Sequence, residues 1–236
     1  MRFPDMRAAG LALSARLGAF RGRDDAVVIA VARGGVAVAL EVSKRLGLPL
    51  DLALLRRLLL PRGPDDPVCA VSAAGVLCVD EEAAAYCNEG GAPLASEGRA
   101  TDEGRAPGAA DARDATLGRF VVGVLDELAR SVRACRGERA PLELAQRSVL
   151  VVDNGVRTGS TVRAVVRALR TRAPARVVVA VPVVAREACA AVESFADDFI
   201  YLSTPEPFGH VGLWYEDFRR PSDDEIRAML EESERD

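Results

Sequence analysis

Histidine is almost missing from this chain of 236 residues, in which His210 is the only one. A Ser-His-Asp relay would have to recruit that single imidazole, and no G-x-S-x-G elbow accompanies it, which argues against a serine hydrolase. A zinc site needs thiols or imidazoles clustered at short spacing, and the five cysteines include no C-x-x-C pair. The cysteines are therefore interpreted as reduced, buried thiols.

Long apolar runs are also missing, and so is an excess of positive charge. No run approaches the roughly 18 apolar residues of a membrane-spanning helix, and the N-terminal MRFPDMRAAG lacks the apolar stretch of a signal peptide. The formal net charge of -4, from 31 basic and 35 acidic residues, provides no cationic field to concentrate a polyanion. We therefore expect a cytoplasmic protein that has neither nucleic acid nor a membrane as its partner.

Short apolar runs alternate with amphipathic segments along the chain. Runs rich in Val, Ile and Leu predict strands buried on both faces, at residues 26–32, 50–57, 148–153, 176–183 and 198–203. Apolar residues spaced three and four apart predict helices, at residues 36–47, 160–173 and 186–196. This alternation predicts a doubly wound α/β fold with a mostly parallel sheet, as a single domain over residues 1–236.

Two segments interrupt the alternation. Residues 68–80 place a small Ala73-Ala74-Gly75 turn between short apolar stretches, which predicts a β-hairpin standing off the main sheet. Residues 88–115 consist of Gly, Ala, Pro and charged residues with hardly any group able to pack. Such a composition cannot bury enough apolar surface to offset the ordering of the backbone, so a mobile insertion is predicted. Helical spacing resumes at residues 116–137.

The string SVLVVDNGVRTGSTVRAVVRAL, at residues 148–169, is the strongest candidate for a binding site. Its strand delivers Asp153 and Asn154 to the carboxyl end, and residues 155–161 then turn into a helix whose first amides carry a partial positive charge. Gly159 lets the backbone approach an anion, and neighbouring hydroxyls add donors, so a phosphate is predicted there. The alternative is an ordinary strand-to-helix turn with Thr or Ser as the N-cap. No G-x-x-x-x-G-K string or strand-linked G-x-G-x-x-G occurs.

This string resembles the phosphoribosyl pyrophosphate motif of type I phosphoribosyltransferases, in which two acidic residues precede a loop ending in T-G-G-T or similar. The segment AVARGGVAVALEVSKRLGLPLD, at 30–51, resembles the pyrophosphate loop of that family, and LLRRLLLP, at 54–61, resembles its Arg-Lys pair. The C-terminal STPEPFGHVGLWYEDFRRPSDDEI is similar to the tail of a group of bacterial predicted phosphoribosyltransferases of unassigned substrate. The resemblance covers nearly the whole chain outside residues 88–115.

The resemblance implies a role for each part of the site. The phosphoribosyl group would be bound by Asp153, Asn154, Gly155, Val156, Arg157, Thr158, Gly159, Ser160 and Thr161. The pyrophosphate would be bound by Arg33, Gly34, Gly35, Arg56 and Arg57. Apart from the resemblance, the aromatic side chains of Phe208, Trp214 and Tyr215 are candidates for stacking on a flat acceptor base, although a sole tryptophan more often belongs to a core.

The resemblance also implies the partners and the assembly. Phosphoribosyl pyrophosphate and an unknown acceptor would be the substrates, and Mg²⁺ would be held mainly by the substrate's diphosphate and ribose oxygens, with Asp153 as an outer-shell carboxylate. The family's fold implies a small hood formed by the N- and C-terminal segments, and a homodimer. Arg56 and Arg57 could instead be surface charges, although consecutive strand residues point to opposite faces, so one would face the layer that covers the sheet.

The chain departs from the family's pattern at several places: Ala73-Ala74-Gly75 stands where the hairpin turn usually carries an acid, and Arg57 replaces the lysine of the Arg-Lys pair. Asn154 stands where most members have a second acid, and Arg157, which cannot take a proton, stands where some members place a carboxylate. Two hypotheses therefore remain: a phosphoribosyltransferase that acts on an unidentified base or amine, and a non-catalytic sensor of phosphoribosyl pyrophosphate or a nucleotide. A generic α/β protein without a phosphate site is a third, which would stand only if no such ligand bound.

Overall fold

The computed structural model describes residues 2–59, 68–73, 76–79, 95–96 and 110–234. In chain order the elements are helix α1 (Met6–Arg16), strand β1 (Ala26–Val31), helix α2 (Ala32–Leu46), strands β2 (Leu50–Leu59), β3 (Val68–Ala73), β4 (Val76–Val79) and β5 (Ala95–Ser96), helix α3 (Ala110–Arg136), strand β6 (Ser148–Val152), helix α4 (Ser160–Arg170), strand β7 (Arg176–Val183), helix α5 (Arg186–Glu193), strand β8 (Asp198–Ser203) and helix α6 (Asp223–Glu232). Among these helices, none combines the length and apolarity that a membrane crossing requires.

Five parallel strands form the centre of the molecule, in the order β2-β1-β6-β7-β8. Every residue of β1 and β6 is buried, as is every residue of β7 after Arg176. Strands buried on both faces need helices on both faces, which explains why the runs are apolar throughout and do not alternate. The predicted doubly wound α/β fold is confirmed, and the five predicted strands agree with the observed ones to within two residues at each end.

The direction of winding changes between β1 and β6. From β1 the chain passes through α2 to β2 on one side, and from β6 it passes through α4 to β7 on the other side. Right-handed crossovers therefore place α2 and α4 on opposite faces of the sheet, and their N-termini diverge at the same edge. A crevice at such a topological switch point is where open α/β sheets bind their ligands.

The predicted hairpin exists, but its predicted position is wrong. Strands β3 and β4 are antiparallel, and β3 pairs with β2 from Ala53↔Ala73 to Leu58↔Val68, so the hairpin extends the main sheet. The reason is that β2 would otherwise present its second edge without partners, and the hairpin satisfies those backbone groups. Composition alone cannot show which edge a hairpin joins. Two of the predicted turn residues, Ala74 and Gly75, lie outside the described residues.

Most of the predicted insertion at 88–115 lies outside the described residues, so its mobility stays a prediction. Within it, Ala95–Ser96 pairs with Leu58 and Leu59 of β2, and α3 begins at Ala110, six residues before the predicted helix. Since α3 then continues to Arg136, the C-terminal end of the predicted insertion belongs to a helix.

The N-terminal and C-terminal segments meet, as the predicted hood requires. Phe3 donates its backbone N–H to the Trp214 carbonyl over 2.8 Å and accepts from Glu216 over 2.9 Å, which makes a bridge between Phe3 and Tyr215. The Phe3 and Tyr215 side chains are both buried, with ring centroids 5.8 Å apart. Helix α1, which the sequence reasoning did not predict, then packs against α2. The terminal segments therefore pack against each other beside the carboxyl end of β6.

Candidate functional site

Asp153 and Asn154 follow β6 directly and lie beside the switch point. Each is 9% exposed. The backbone N–H of Asn154 donates to Asp153 Oδ1 over 2.7 Å, and the Tyr215 hydroxyl donates to the Asn154 carbonyl oxygen over 2.5 Å. Two polar residues thus lie nearly buried at the carboxyl end of a central strand, with the Asn154 backbone fixed by both hydrogen bonds.

The first turn of α2 lies directly against this pair. A Cβ atom on Gly34 would overlap the Asn154 side-chain amide, and one on Gly35 would lie 2.8 Å from the Val152 carbonyl oxygen. Glycine at both positions therefore lets the helix N-terminus approach the end of β6. The family resemblance implied a pyrophosphate loop for residues 33–35, whereas here they belong to helix α2, which starts at Ala32.

The loop at 155–161 has a fixed first half and an exposed second half. A Cβ atom on Gly155 would lie 2.8 Å from side-chain carbons of Val183 and Val211, so the backbone passes through a gap that only glycine fits. Val156 donates to the Val183 carbonyl over 3.0 Å and accepts from Ala185 over 2.8 Å. Arg157 and Thr158, which follow, are exposed. The loop is therefore tied to β7 and then opens toward solvent ahead of α4.

Helix α4 starts from a glycine, not from a hydroxyl residue. Its N-cap is Gly159, with φ of 88°, and no side chain in the described chain caps it. The Thr158 and Ser160 hydroxyls lie 3.1 Å apart and hydrogen bond to each other. An ordinary Thr or Ser N-cap, the alternative considered from the sequence, is therefore not what this turn contains. The positive φ also means that any other residue at this position would be strained.

The N-termini of α2 and α4 share one electrostatic property. The α2 N-cap, Val31, also makes no side-chain cap hydrogen bond within the described residues. Uncapped first-turn amides and the helix dipole give each end a partial positive charge that attracts anions. Two such ends flank Asp153 and Asn154, so the geometry suits a ligand with a hydroxylated centre and an anionic group at each end.

Arg33, in the first turn of α2, is ion-paired within the protein. Its guanidinium contacts the carboxylate of Asp223, the first residue of α6. The thiol of Cys135 also donates to Asp223 Oδ1, over 3.4 Å. Burial raises the pKa of Cys135 above its ordinary value, so this thiol stays protonated as the donor. The sequence reasoning missed Asp223, because a capping box at Ser222 predicts a helix start without identifying its distant partner.

The Arg56 and Arg57 side chains lie outside the described residues. Their backbone belongs to β2, where Arg56 pairs with Ala70 and Arg57 pairs with Cys69 of β3. This placement on the strand beside β1 agrees with the predicted strand. The pyrophosphate role of the two side chains stays a prediction.

The three aromatic residues predicted to stack on an acceptor lie in the C-terminal segment. Tyr215 is buried against Phe3 and Phe218, with centroid distances of 5.8 and 5.5 Å, and Phe208 is also buried. The half-buried Trp214 donates its indole N–H to the Phe208 carbonyl over 3.1 Å. Burial and the charge of Asp153 raise the pKa of Tyr215 far above its ordinary value, so its hydroxyl remains a donor. These contacts favour an anchoring role, and stacking stays a prediction.

Comparisons with known proteins agree with this geometry. The family described as "Phosphoribosyl transferase domain" matches residues 109–213. Two Mycobacterium tuberculosis proteins, from strains CDC 1551 / Oshkosh and ATCC 25618 / H37Rv, each carry the name "Putative phosphoribosyl transferase" and are 32% identical over 234 residues. The alignments cover 99% of this chain and 47% of each relative, so the chain spans about half the length of the curated relatives it matches.

A solved structure resembles the chain over its whole length. The crystal structure of TT1426 from Thermus thermophilus has a TM-score of 0.74 and 32% sequence identity, and the match covers 98% of this chain and 99% of that one. Taken together with the domain match over residues 109–213, these likenesses show that the chain belongs to the type I phosphoribosyltransferase family.

Proposed function

We propose that the chain binds phosphoribosyl pyrophosphate at the switch point and transfers its phosphoribosyl group to a nitrogen of a base or amine. The observation that carries this proposal is the arrangement of two uncapped helix N-termini on either side of Asp153 and Asn154. The substrate has the matching order of groups: a 5'-phosphate, a ribose with hydroxyls, and a diphosphate. Family membership gives independent support for the substrate class.

The 5'-phosphate is assigned to the loop at 155–161 and the first turn of α4. There the exposed Thr158 and the half-buried Ser160 add hydroxyl donors to the backbone amides. Asp153 and Asn154 are assigned to the ribose hydroxyls, because their side chains lie against the first turn of α2 and the loop that leads into α4 follows them directly. The diphosphate is assigned to the first turn of α2 with Arg33, and Arg56 and Arg57 remain candidates on the neighbouring strand.

Magnesium is proposed to reach the site on the substrate. Among the described residues no group of three or more His, Cys, Asp or Glu side chains could hold a metal ion. One nearly buried carboxylate, Asp153, lies where the ribose is assigned, which suits an ion whose other ligands are ligand oxygens and water. When bound, the ion would offset charge on the departing diphosphate.

The reaction needs no protein nucleophile. A bond forms between the acceptor nitrogen and C1' as the bond from C1' to the diphosphate oxygen breaks, pyrophosphate leaves with the electron pair, and the acceptor's proton goes to solvent. The protein orients the two reactants and stabilises the leaving diphosphate, while Asp153 favours positive charge on the sugar. Because Asn154 is neutral, the site stabilises a positively charged sugar less than a site with a second acid would. We therefore expect Asn154 to lower the rate of transfer more than the affinity for the substrate.

A non-catalytic sensor of phosphoribosyl pyrophosphate or a nucleotide is the second candidate, and Asn154 is the observation that favours it. The two are separated by incubating the chain with phosphoribosyl pyrophosphate, magnesium and a panel of bases, and by measuring released pyrophosphate alongside binding. Turnover with any base supports the transferase. Saturable binding without turnover supports the sensor. Absence of binding would contradict both the transferase and the sensor.

The predicted homodimer also remains a proposal. Light scattering of the chain in solution tests it directly. A mass corresponding to two chains of 25.1 kDa each would support it, and a mass of one chain would remove it.

A further inference from the structure

We propose that Asp223 is an internal counter-ion. Its carboxylate competes with a bound diphosphate for Arg33, and the ion pair between Asp223 and Arg33 forms again when pyrophosphate leaves. The proposal rests on the proposed function, because it treats Arg33 as a diphosphate-binding group. It assigns a role in the binding site to α6, a helix that lies far from the phosphate loop in sequence. The contact between Arg33 and Asp223 is its starting point.

Arg33 is placed where a ligand's anionic group could reach it. It immediately precedes Gly34, whose backbone contacts the Asn154 side chain. The Arg33 and Asp223 side chains are 38% and 34% exposed, so their ion pair is open to solvent on one side. A diphosphate at the first turn of α2 therefore approaches an arginine whose charge the Asp223 carboxylate already offsets.

Asp223 is held in place, which makes Arg33 the partner that moves. The carboxylate accepts from the thiol of Cys135, which is fully buried. Helix α6 begins with a capping box, and at its other end Glu232 pairs with Lys44 over 2.6 Å. Because these contacts fix the helix, the short carboxylate side chain can move only by rotation about its own bonds, whereas the longer Arg33 side chain can exchange one anion for another.

The competition from Asp223 changes the affinity for a diphosphate by only a small factor. Ion pairs of this exposure change an equilibrium constant by about two- to fivefold. Asp223 therefore weakens diphosphate binding by about that factor. Asp223 also raises the rate of pyrophosphate release by a similar factor, because its carboxylate pairs with Arg33 as the product dissociates. A ligand that carries only a 5'-phosphate is not affected, since that phosphate is assigned to the loop at 155–161.

Calorimetric titration of the full chain with magnesium pyrophosphate and with ribose 5-phosphate tests the proposal. Asp223→Asn should tighten pyrophosphate binding about two- to fivefold and leave ribose 5-phosphate binding unchanged. Asp224→Asn is the matched control, because it removes the same charge from the next, exposed residue of the same helix turn. In an Arg33→Ala background, Asp223→Asn should have no further effect on pyrophosphate.

The remaining outcomes of the titrations distinguish failure of the competition from failure of the proposed function. Unchanged or weaker pyrophosphate binding by Asp223→Asn, an equal effect of Asp224→Asn, or an equal effect on ribose 5-phosphate overturns the competition while leaving the proposed function in place. If the unmodified chain binds neither ligand, the proposed function fails and the competition fails with it. Melting curves of both variants check the fold, since each loses one favourable charge at the α6 N-terminus.

Discussion

Gly34 and Asn154 are packed so closely that a Cβ atom on Gly34 would overlap the Asn154 side-chain amide. We predict that Gly34→Ala displaces this amide and weakens phosphoribosyl pyrophosphate binding by about 1 kcal/mol, the contribution of one hydrogen bond. Stability should change little, because alanine is favoured in a helix by about 1 kcal/mol over glycine, which offsets the displacement. Calorimetry and melting curves measure the two effects separately.

The control for this prediction is Gly123→Ala in α3. A Cβ atom there would meet nothing within 4 Å, so only the helix propensity changes. It should leave the affinity unchanged. If Gly34→Ala also leaves the affinity unchanged, the Asn154 side chain does not take part in binding.

Gly159 tests the loop at 155–161. Because its φ is 88°, Gly159→Ala should cost about 1–2 kcal/mol of stability, in addition to any effect on a phosphate. Gly22→Ala is the matched control, since Gly22 has φ of 65° and open space around its Cβ position. Both variants should lower the melting temperature by similar amounts, and only Gly159→Ala should abolish the further rise that ribose 5-phosphate produces. Equal rises in both variants would mean that the loop is only a helix cap.

Tyr215 is predicted to position the site through the Asn154 carbonyl. Tyr215→Phe leaves this carbonyl without its 2.5 Å donor, so the free energy of unfolding should fall by about 1–3 kcal/mol. Binding of ribose 5-phosphate should weaken as well, because Asn154 leads directly into the loop. Tyr201→Phe, on the edge strand β8, is the control and should leave this affinity unchanged. An unaltered ribose 5-phosphate affinity in Tyr215→Phe would show that the bond only supports the fold.

Asn154→Asp separates a weakened transferase from a sensor. Restoring the acid should strengthen ribose binding by about 1 kcal/mol through a charge-assisted bond, and should raise turnover at least as much. The gain should require magnesium, because a second carboxylate beside Asp153 repels the diphosphate unless a metal offsets the charge. Tighter binding without pyrophosphate release, with every base tried, would favour the sensor.

The sequence predicts the sheet and the loop at 155–161 because both are local patterns. The buried strands β1, β6 and β7 consist mainly of apolar residues, and a strand followed by a glycine-containing turn and a helix lies within 22 consecutive residues. The contacts of Asp223 with Arg33 and of Tyr215 with Asn154 join residues far apart in sequence. They depend on how α6 and the C-terminal segment pack, which no local spacing encodes.

Every assignment made for the site depends on phosphoribosyl pyrophosphate binding beside Asp153 and Asn154, between the N-termini of α2 and α4. The most direct test of this binding is a calorimetric titration of the chain with phosphoribosyl pyrophosphate and magnesium, repeated on Gly34→Ala and Gly159→Ala. We expect saturable binding of one ligand per chain, weakened in both variants and unchanged in the Gly123→Ala and Gly22→Ala controls. Absence of binding at millimolar ligand, or equal affinity in all of these variants, would contradict these assignments.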